Sequence, residues 1–299
     1  MNAKILNFLK ELFATNKLNR LPPKYGGNKI FSEPLIGVAQ GDDPIFQKFK
    51  EVVTPEHLTP LELWQSCGQE NISSSKLRTI SIIFPYVYKI REESKNTIEL
   101  PRMKLPSEFY SVGRNYANEF KKDVVRELVK YLQEKGFRAV GAMISDVFNI
   151  ITKGGFYSNW SERHIAFAAG LGTFSLHEGL ITEVGCNIRL ASAVTDAPLE
   201  ITLRNSDEPY ANCLFFAKGI CMKCVEKCPA NAISKEGHDK IKCYNYGQKI
   251  ARKVIVRLDS LLKPHVRRIN GEVKKQRPPV GCAFCQFGVP CMAKNPIKD

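Results

Sequence analysis

The run Cys221-Met222-Lys223-Cys224-Val225-Glu226-Lys227-Cys228-Pro229, of the form C-x2-C-x3-C-P, constrains this chain more than any other part of it. Thiolates spaced two residues apart reach one metal centre from a single tight loop. Cys282 and Cys285 repeat the C-x2-C spacing, and Cys291 follows after five intervening residues. With Cys213 and Cys243 this makes eight thiols within residues 213–299, the number that two four-thiolate centres need. In such runs the cysteine beside a proline turns to the neighbouring cluster. We therefore expect two 4Fe–4S clusters. One takes Cys213, Cys221, Cys224 and Cys291, and the other takes Cys228, Cys243, Cys282 and Cys285. The usual run carries a further cysteine three positions before the first of these, where this chain has Lys218, so Cys213 has to loop in instead.

A zinc ribbon on Cys221, Cys224, Cys282 and Cys285 is the competing structure, but it leaves Cys213, Cys228, Cys243 and Cys291 unused. A disulfide scaffold does not suit a chain of 299 residues that is 43% hydrophobic and can bury a core without staples. Cys67 and Cys186 stay outside both sets and read as small buried apolar residues.

Net charge is +14 and is unevenly placed. Residues 212–299 hold 18 Lys and Arg against 6 Asp and Glu, so the basic excess travels with the cysteines. It is densest from Lys249 to Arg277. Such a stretch attracts nucleic acid, an acidic electron donor or a phosphate-bearing cofactor, or else is a solvated helix face that offsets anionic clusters. Near the start, Ile5, Phe8, Leu9 and Leu12 share a helical spacing broken by Lys4, Lys10 and Glu11, which is amphipathic rather than a secretion signal. With no twin arginine and no apolar run of spanning length, a cytoplasmic protein without a membrane partner is expected.

Leu21–Gly27 reads as a linker after an N-terminal helical extension over residues 1–25. Thr79–Phe84 reads as a buried strand stopped by Pro85, and Asn118–Lys135 as a helix capped by Asn118 and ended by Gly136. Phe137–Ile144 reads as the next strand. Asn159 and Glu162 make a capping box for a helix through Ala169, and Gly179–Val184 and Ile188–Thr195 look like paired strands about Gly185. Helices between buried strands give an α+β fold with layered α/β character. The boundary falls near residue 205, with domains over 1–205 and 206–299.

The middle of the chain resembles a known superfamily. Ala169-Gly-Leu-Gly-Thr-Phe-Ser-Leu-His-Glu-Gly-Leu-Ile-Thr182, Arg189-Leu190 and Thr195-Asp196-Ala197-Pro198-Leu199 resemble the core of corrinoid-dependent reductive dehalogenases. Glu162-Arg163-His164-Ile165-Ala166-Phe167-Ala168-Ala169-Gly170-Leu171-Gly172 is similar to the E-R-x-L-A-A-x-A-G-L-G stretch of epoxyqueuosine reductases. The resemblance covers about residues 110–291. It implies a nitroreductase-like domain holding cobalamin, fed with electrons by a ferredoxin-like double-cluster domain. On that basis Ser158, Asn159, Gly170, Gly172, Thr173, Gly179 and Ser192 are the candidate corrinoid contacts. The aspartate proton donor of epoxyqueuosine reductases would fall at Phe156, so tRNA is a disfavoured partner. Dehalogenases use a tyrosine, which points to Tyr157 assisted by Arg163 or Arg189, with His164 and His177 as alternative donors and aromatic packing as the competing role for Tyr157. The expected function is reduction of a small organic substrate, with a reduced ferredoxin or flavodoxin-like protein as electron donor. A non-catalytic electron carrier or reductive activator is the alternative, but it would not need the roughly 200 residues that precede the cysteines.

Overall fold

The computed structural model describes residues 1–153, 155–276 and 281–298; Arg277, where the basic run ends, lies outside them. The fold is α+β. Its centre is a four-stranded sheet in the order Leu35–Gln40, Arg78–Pro85, Ile188–Thr195, Ala139–Val140, with every neighbouring pair antiparallel. Both faces of Arg78–Pro85 are covered. Ile80, Ile82 and Phe84 enter one hydrophobic core and Ile83 the other. A strand buried on both sides has no reason to alternate with polar residues, hence the near-continuous apolar run.

The helices Asn2–Thr15 and Glu108–Glu134 cover the first face. Ile5 and Leu9 are fully buried, and the Phe13 ring packs 4.8 Å from Phe84 and 4.9 Å from Phe120. The long helix begins ten residues before the expected Asn118, because the Ser107 hydroxyl caps it by accepting from the Tyr110 amide at 3.2 Å. Tyr110, Val112 and Ala117 then extend the buried stripe upstream. Gly136 ends the helix as expected, at φ 84°.

The second face is covered by the helix Glu162–Ala168, with Ile165 and Ala166 fully buried. Asn159 does not cap it. The Asn159 side chain instead donates to Val147 O and accepts from the Asn149 amide, both at 2.8 Å, and Ser161 occupies the cap position. The strand expected over Phe137–Ile144 is only Ala139–Val140, after which the chain turns into a 3₁₀ helix at Ala142–Ile144. Leu180–Thr182 pairs with Gly172–Phe174 rather than with Ile188–Thr195, which the central sheet claims. Gly185 supports just a bridge to Thr182.

Beyond residue 205 the chain is irregular until the helix Leu214–Lys218. The helix Lys240–Leu258 then sets Ile250, Val254 and Leu258 into the same core as the long helix. A smaller cluster joins Leu176, Ile181 and Cys186 to Cys213, Cys224 and Ile233. The hairpin His265–Ile269 and Glu272–Gln276 turns at Asn270-Gly271, where both φ values are positive, 48° and 83°. Ile269 pairs with Ile150, and Asn270 Oδ1 accepts from the Thr152 amide at 2.9 Å, so this hairpin is stitched onto residues 150–152. Among the described residues no helix is long and apolar enough to cross a membrane.

Candidate redox site

The eight thiols fall into two hollows. Cys213, Cys221, Cys224 and Cys291 line a small one together with His177. Cys228, Cys243, Cys282 and Cys285 line a second, of about 570 Å³. These are the two groupings read from the sequence, and among the described residues no carboxylate lines either hollow. Local structure sets the sulfurs. Cys213 starts the helix Leu214–Lys218, and Cys224 lies in the single turn Lys223–Glu226. Cys243 is in the first turn of Lys240–Leu258, which Asp239 caps by accepting from the Ile241 and Lys242 amides. Cys221 and Ala283 adopt left-handed backbone, φ 74° and 55°, which sharpens the two C-x2-C loops.

Burial, then the sulfurs of Cys291, Cys213 and Cys221, push the Cys224 thiol up to about 12. Burial also pushes Cys282 up to about 12, with Cys243 and Cys228 adding to the rise. Thiols so crowded hold their protons until a cation offsets the charge, so a metal centre bound here releases protons as it forms. Cys186 lies beside the first hollow. Its Sγ is 3.7 Å from Cys291 Sγ, and His177 Nε2 is 4.0 Å from the same sulfur. Ligand atoms of His177, Cys186 and Cys291 all lie within 4.8 Å of one another.

The second hollow adjoins a cavity of about 490 Å³, sharing Phe156, Arg163 and Arg267 with it. The hairpin forms one wall through Val266, Arg267, Arg268 and Val273. The lining is basic, with Lys121, Lys122, Arg126, Arg163, Arg267 and Arg268 facing Asp146 and Glu162. Both carboxylate oxygens of Glu162 are buried. Burial raises this carboxyl to about 7, with Ser192 and Lys121 opposing the rise. Burial, Arg189, Arg267 and Arg114 lower Lys121 to about 7, against the pull of Glu162, and its Nζ donates to Leu190 O at 3.2 Å. One cavity therefore holds an acid and an amine that both exchange protons near neutrality, the property of a proton-transfer site. Sequence reasoning read Glu162 as a helix cap and passed over Lys121. The two come together only through the packing of the long helix on Ile188–Thr195, which leaves no local signal.

Tyr157, Ser158 and Arg163 line this cavity. The Arg163 guanidinium donates to Glu178 O, and burial lowers its pKa. Arg189 is not part of the lining: it donates to the Tyr110 hydroxyl at 2.9 Å and lies over the Tyr86 ring. The other candidate corrinoid contacts have packing duties. Thr173 Oγ1 accepts from the Asn212 amide at 2.8 Å, and Ser192 Oγ accepts from Trp160 Nε1 at 2.8 Å. A Cβ at Gly172 would meet Ile181 O at 2.3 Å, and one at Gly170 would meet Leu203 O at 2.8 Å. Gly179 is pressed against the His177 ring. His164 also lines the cavity, but its ring bonds Ser161 Oγ and burial lowers its pKa to about 2, so it stays neutral.

No family model and no curated protein sequence matches this chain. Its neighbours among solved structures are epoxyqueuosine reductases and reductive dehalogenases. The enzyme from Streptococcus thermophilus, an epoxyqueuosine reductase, aligns at a TM-score of 0.53 and 15% identity, over 99% of this chain and 68% of that one. A selenomethionine-labelled epoxyqueuosine reductase aligns at 0.50 and 15% identity, over 99% of this chain and 69% of that one. A catabolic reductive dehalogenase aligns more loosely, at 0.49 and 13% identity, over 88% of this chain and 30% of its own. At these identities the likeness is one of fold: the chain is built like an epoxyqueuosine reductase.

Proposed function

We propose that this protein is an iron–sulfur reductase that passes electrons through two 4Fe–4S clusters to a corrinoid, and so reduces a small organic substrate. The observation that supports this most is the separation of eight cysteines into two four-thiol hollows, the second of which adjoins a basic cavity. The residues suit the clusters, since among the described residues sulfur alone is offered as anionic ligand in each hollow. They also suit a corrinoid by size and polarity. Cavities of about 490, 570 and 730 Å³ meet at Arg163, and Asn118, Ser145, Ser158 and Ser161 offer hydrogen bonds to amide side chains. When bound, the corrinoid supplies the reducing chemistry at its metal.

The chain's own residues carry the rest. The Cys228 cluster is the one nearer the cavity, and Cys285 lies within electrostatic reach of Cys224 of the other set. Cys213, Cys221, Cys224 and Cys291 would hold the cluster nearer the donor, and the loop covering them exposes Phe216, Ile220, Lys218 and Lys223, which suits an acidic donor protein. The basic lining favours an anionic substrate. Glu162 holds a proton until the reduced substrate takes it, Lys121 sets how firmly it is held, and Tyr157 is a second proton source in the same cavity.

Anaerobic reconstitution followed by cobalamin titration tests the reading. Iron and sulfide of about eight each per chain, and a tight complex with a base-off spectrum, are expected. Four irons or fewer reject the ligand sets, and clusters without cobalamin binding favour an electron relay. The concentration of positive charge in residues 212–299 sustains a second reading, a tRNA-modifying reductase, for which tight and salt-sensitive tRNA binding is the mark.

A further inference from the structure

Two buried side chains that the ligand sets leave over converge on one ligand sulfur. We propose that Cys186 and His177 are hydrogen-bond donors to the Cys291 thiolate and that they set the potential of the Cys213 cluster; this rests on the cluster reading above. Cys186 is 2% and His177 5% exposed, so neither competes for water. Cys186 Sγ stands 3.7 Å from Cys291 Sγ, within range for a sulfur donor and acceptor. His177 is oriented by its other nitrogen. The Gly179 amide donates to Nδ1 at 3.2 Å, so Nδ1 is the acceptor and the ring proton sits on Nε2, which faces Cys291 Sγ at 4.0 Å.

The backbone fixes the approach. The Cys186 amide donates to Cys291 O at 2.8 Å and the Asn187 amide to Met292 O at 3.1 Å, which locks the segment carrying Cys186 against the loop carrying Cys291. Cys213, Cys221, Cys224 and Cys291 already supply four ligands, which leaves Cys186 and His177 the outer role. Hydrogen bonds to a ligand sulfur stabilise the reduced, more negative cluster more than the oxidised one, and so raise its potential. The other cluster receives a different kind of donor, the Ala232 amide on Cys228 Sγ at 3.3 Å, which a side-chain substitution does not remove.

The test is an anaerobic redox titration of the reconstituted full chain, following the electron paramagnetic resonance signal of each reduced cluster. Cys186→Ala is expected to move one midpoint to more negative potential, leave the other in place and keep the wild-type iron content. Cys186→Ser restores an O–H donor and is expected to recover much of the shift. His177→Leu removes the second donor and moves the same midpoint in the same direction, so the reading stands or falls even where one variant does not fold. Full iron with unmoved midpoints in Cys186→Ala and His177→Leu overturns the proposal. So does iron that falls by half in Cys186→Ala and Cys186→Ser alike, since Cys186 would then be a ligand, and so does a single metal ion bound by His177, Cys186 and Cys291. A wild-type chain that takes up no iron and sulfide is a different failure, because it overturns the cluster reading on which this one stands.

Discussion

Glu162 is the residue whose environment departs furthest from what its place in the sequence suggests. A carboxyl that is raised from 4.5 to about 7 by burial is protonated in the folded chain over a range where the unfolded chain has lost the proton. Stability is then full below about pH 4.5 and falls as pH rises toward about 7. Glu162→Gln cannot ionise, so it should be more stable than the parent at pH 8.5 than at pH 5 by roughly 1–3 kcal/mol, on the scale of 1.4 kcal/mol per pKa unit. Lys121 runs the other way. Its folded pKa of about 7 lies below the ordinary 10.5, so its burial costs most below about pH 7 and the cost fades as pH rises to 10.5. Lys121→Met is therefore expected to gain stability at pH 6 and to lose that gain by pH 10, as denaturant titrations at each pH would show. Equal gains at all pH values would mean that neither group titrates in the fold. The contrast with the cysteines explains what the sequence could reveal. Metal ligands announce themselves because their spacing is a local requirement of loop geometry. An acid and a base brought together from a helix start and a distant helix middle leave no such spacing, and Arg189, expected beside Tyr157, is instead taken by Tyr110 and Tyr86.

Elements that stand on their own periodicity were legible, and those that depend on a partner were not. The N-terminal helix fully buries Ile5 and Leu9 of the stripe its spacing predicts and half-buries Phe8 and Leu12, so Leu9→Ala should cost about 2–5 kcal/mol by cavity formation. Lys10→Ala should cost under about 0.5 kcal/mol, because its pair with Glu33 is largely in solvent. The strand Arg78–Pro85 was legible for the same reason, whereas the partner of Ile188–Thr195 was not. Residues next to each other across a glycine turn invite a hairpin, yet the central sheet offers eight paired positions to that strand. The Asn270-Gly271 hairpin carried a turn signal that charge alone concealed, since Arg267, Arg268 and Lys274 read as part of one basic run. Gly185 is where turn and site meet. It adopts φ 84°, and a Cβ there would lie 2.4 Å from Met292 O, in the contact that seats Cys186 against Cys291. Gly185→Ala should cost on the order of 2–4 kcal/mol through strain and displaced backbone, measured by thermal unfolding. The strain sits beside Cys291, so on the proposed cluster reading the variant should also lose iron from the Cys213 set before the other. An alanine variant with parental stability would show that the close approach of residues 185–187 to 291–293 does not exist in solution.

At the scale of the whole molecule, the placement of charge suits the electron path we propose. The cavity beside the second hollow is lined by cations, and the helix Lys240–Leu258 carries exposed Lys242, Lys249, Arg252, Lys253 and Arg257 along that hollow's side. The covering of the Cys213 hollow adds Lys218, Lys223 and Lys227 beside Phe216, 46% exposed, and Ile220, 56% exposed. On the proposed function, apolar side chains ringed by lysines over this hollow would dock an acidic carrier: charge would bring the partner in, and contact area would hold it only briefly. Attraction of this kind is screened over about 10 Å at 0.1 M salt. Reduction of the clusters by an acidic flavodoxin should therefore slow roughly tenfold between about 20 and 500 mM salt, within the range of steering effects. Reduced methyl viologen, a cation, should show no such loss and instead quicken as its repulsion is screened. Lys218→Glu with Lys223→Glu should raise the flavodoxin concentration needed for half-maximal rate several-fold, while the viologen rate should not fall and should quicken as the same repulsion is removed. Those lysines touch neither hollow, so a fall in both rates together would place the docking face elsewhere, with the exposed cations of Lys240–Leu258 the next surface to reverse.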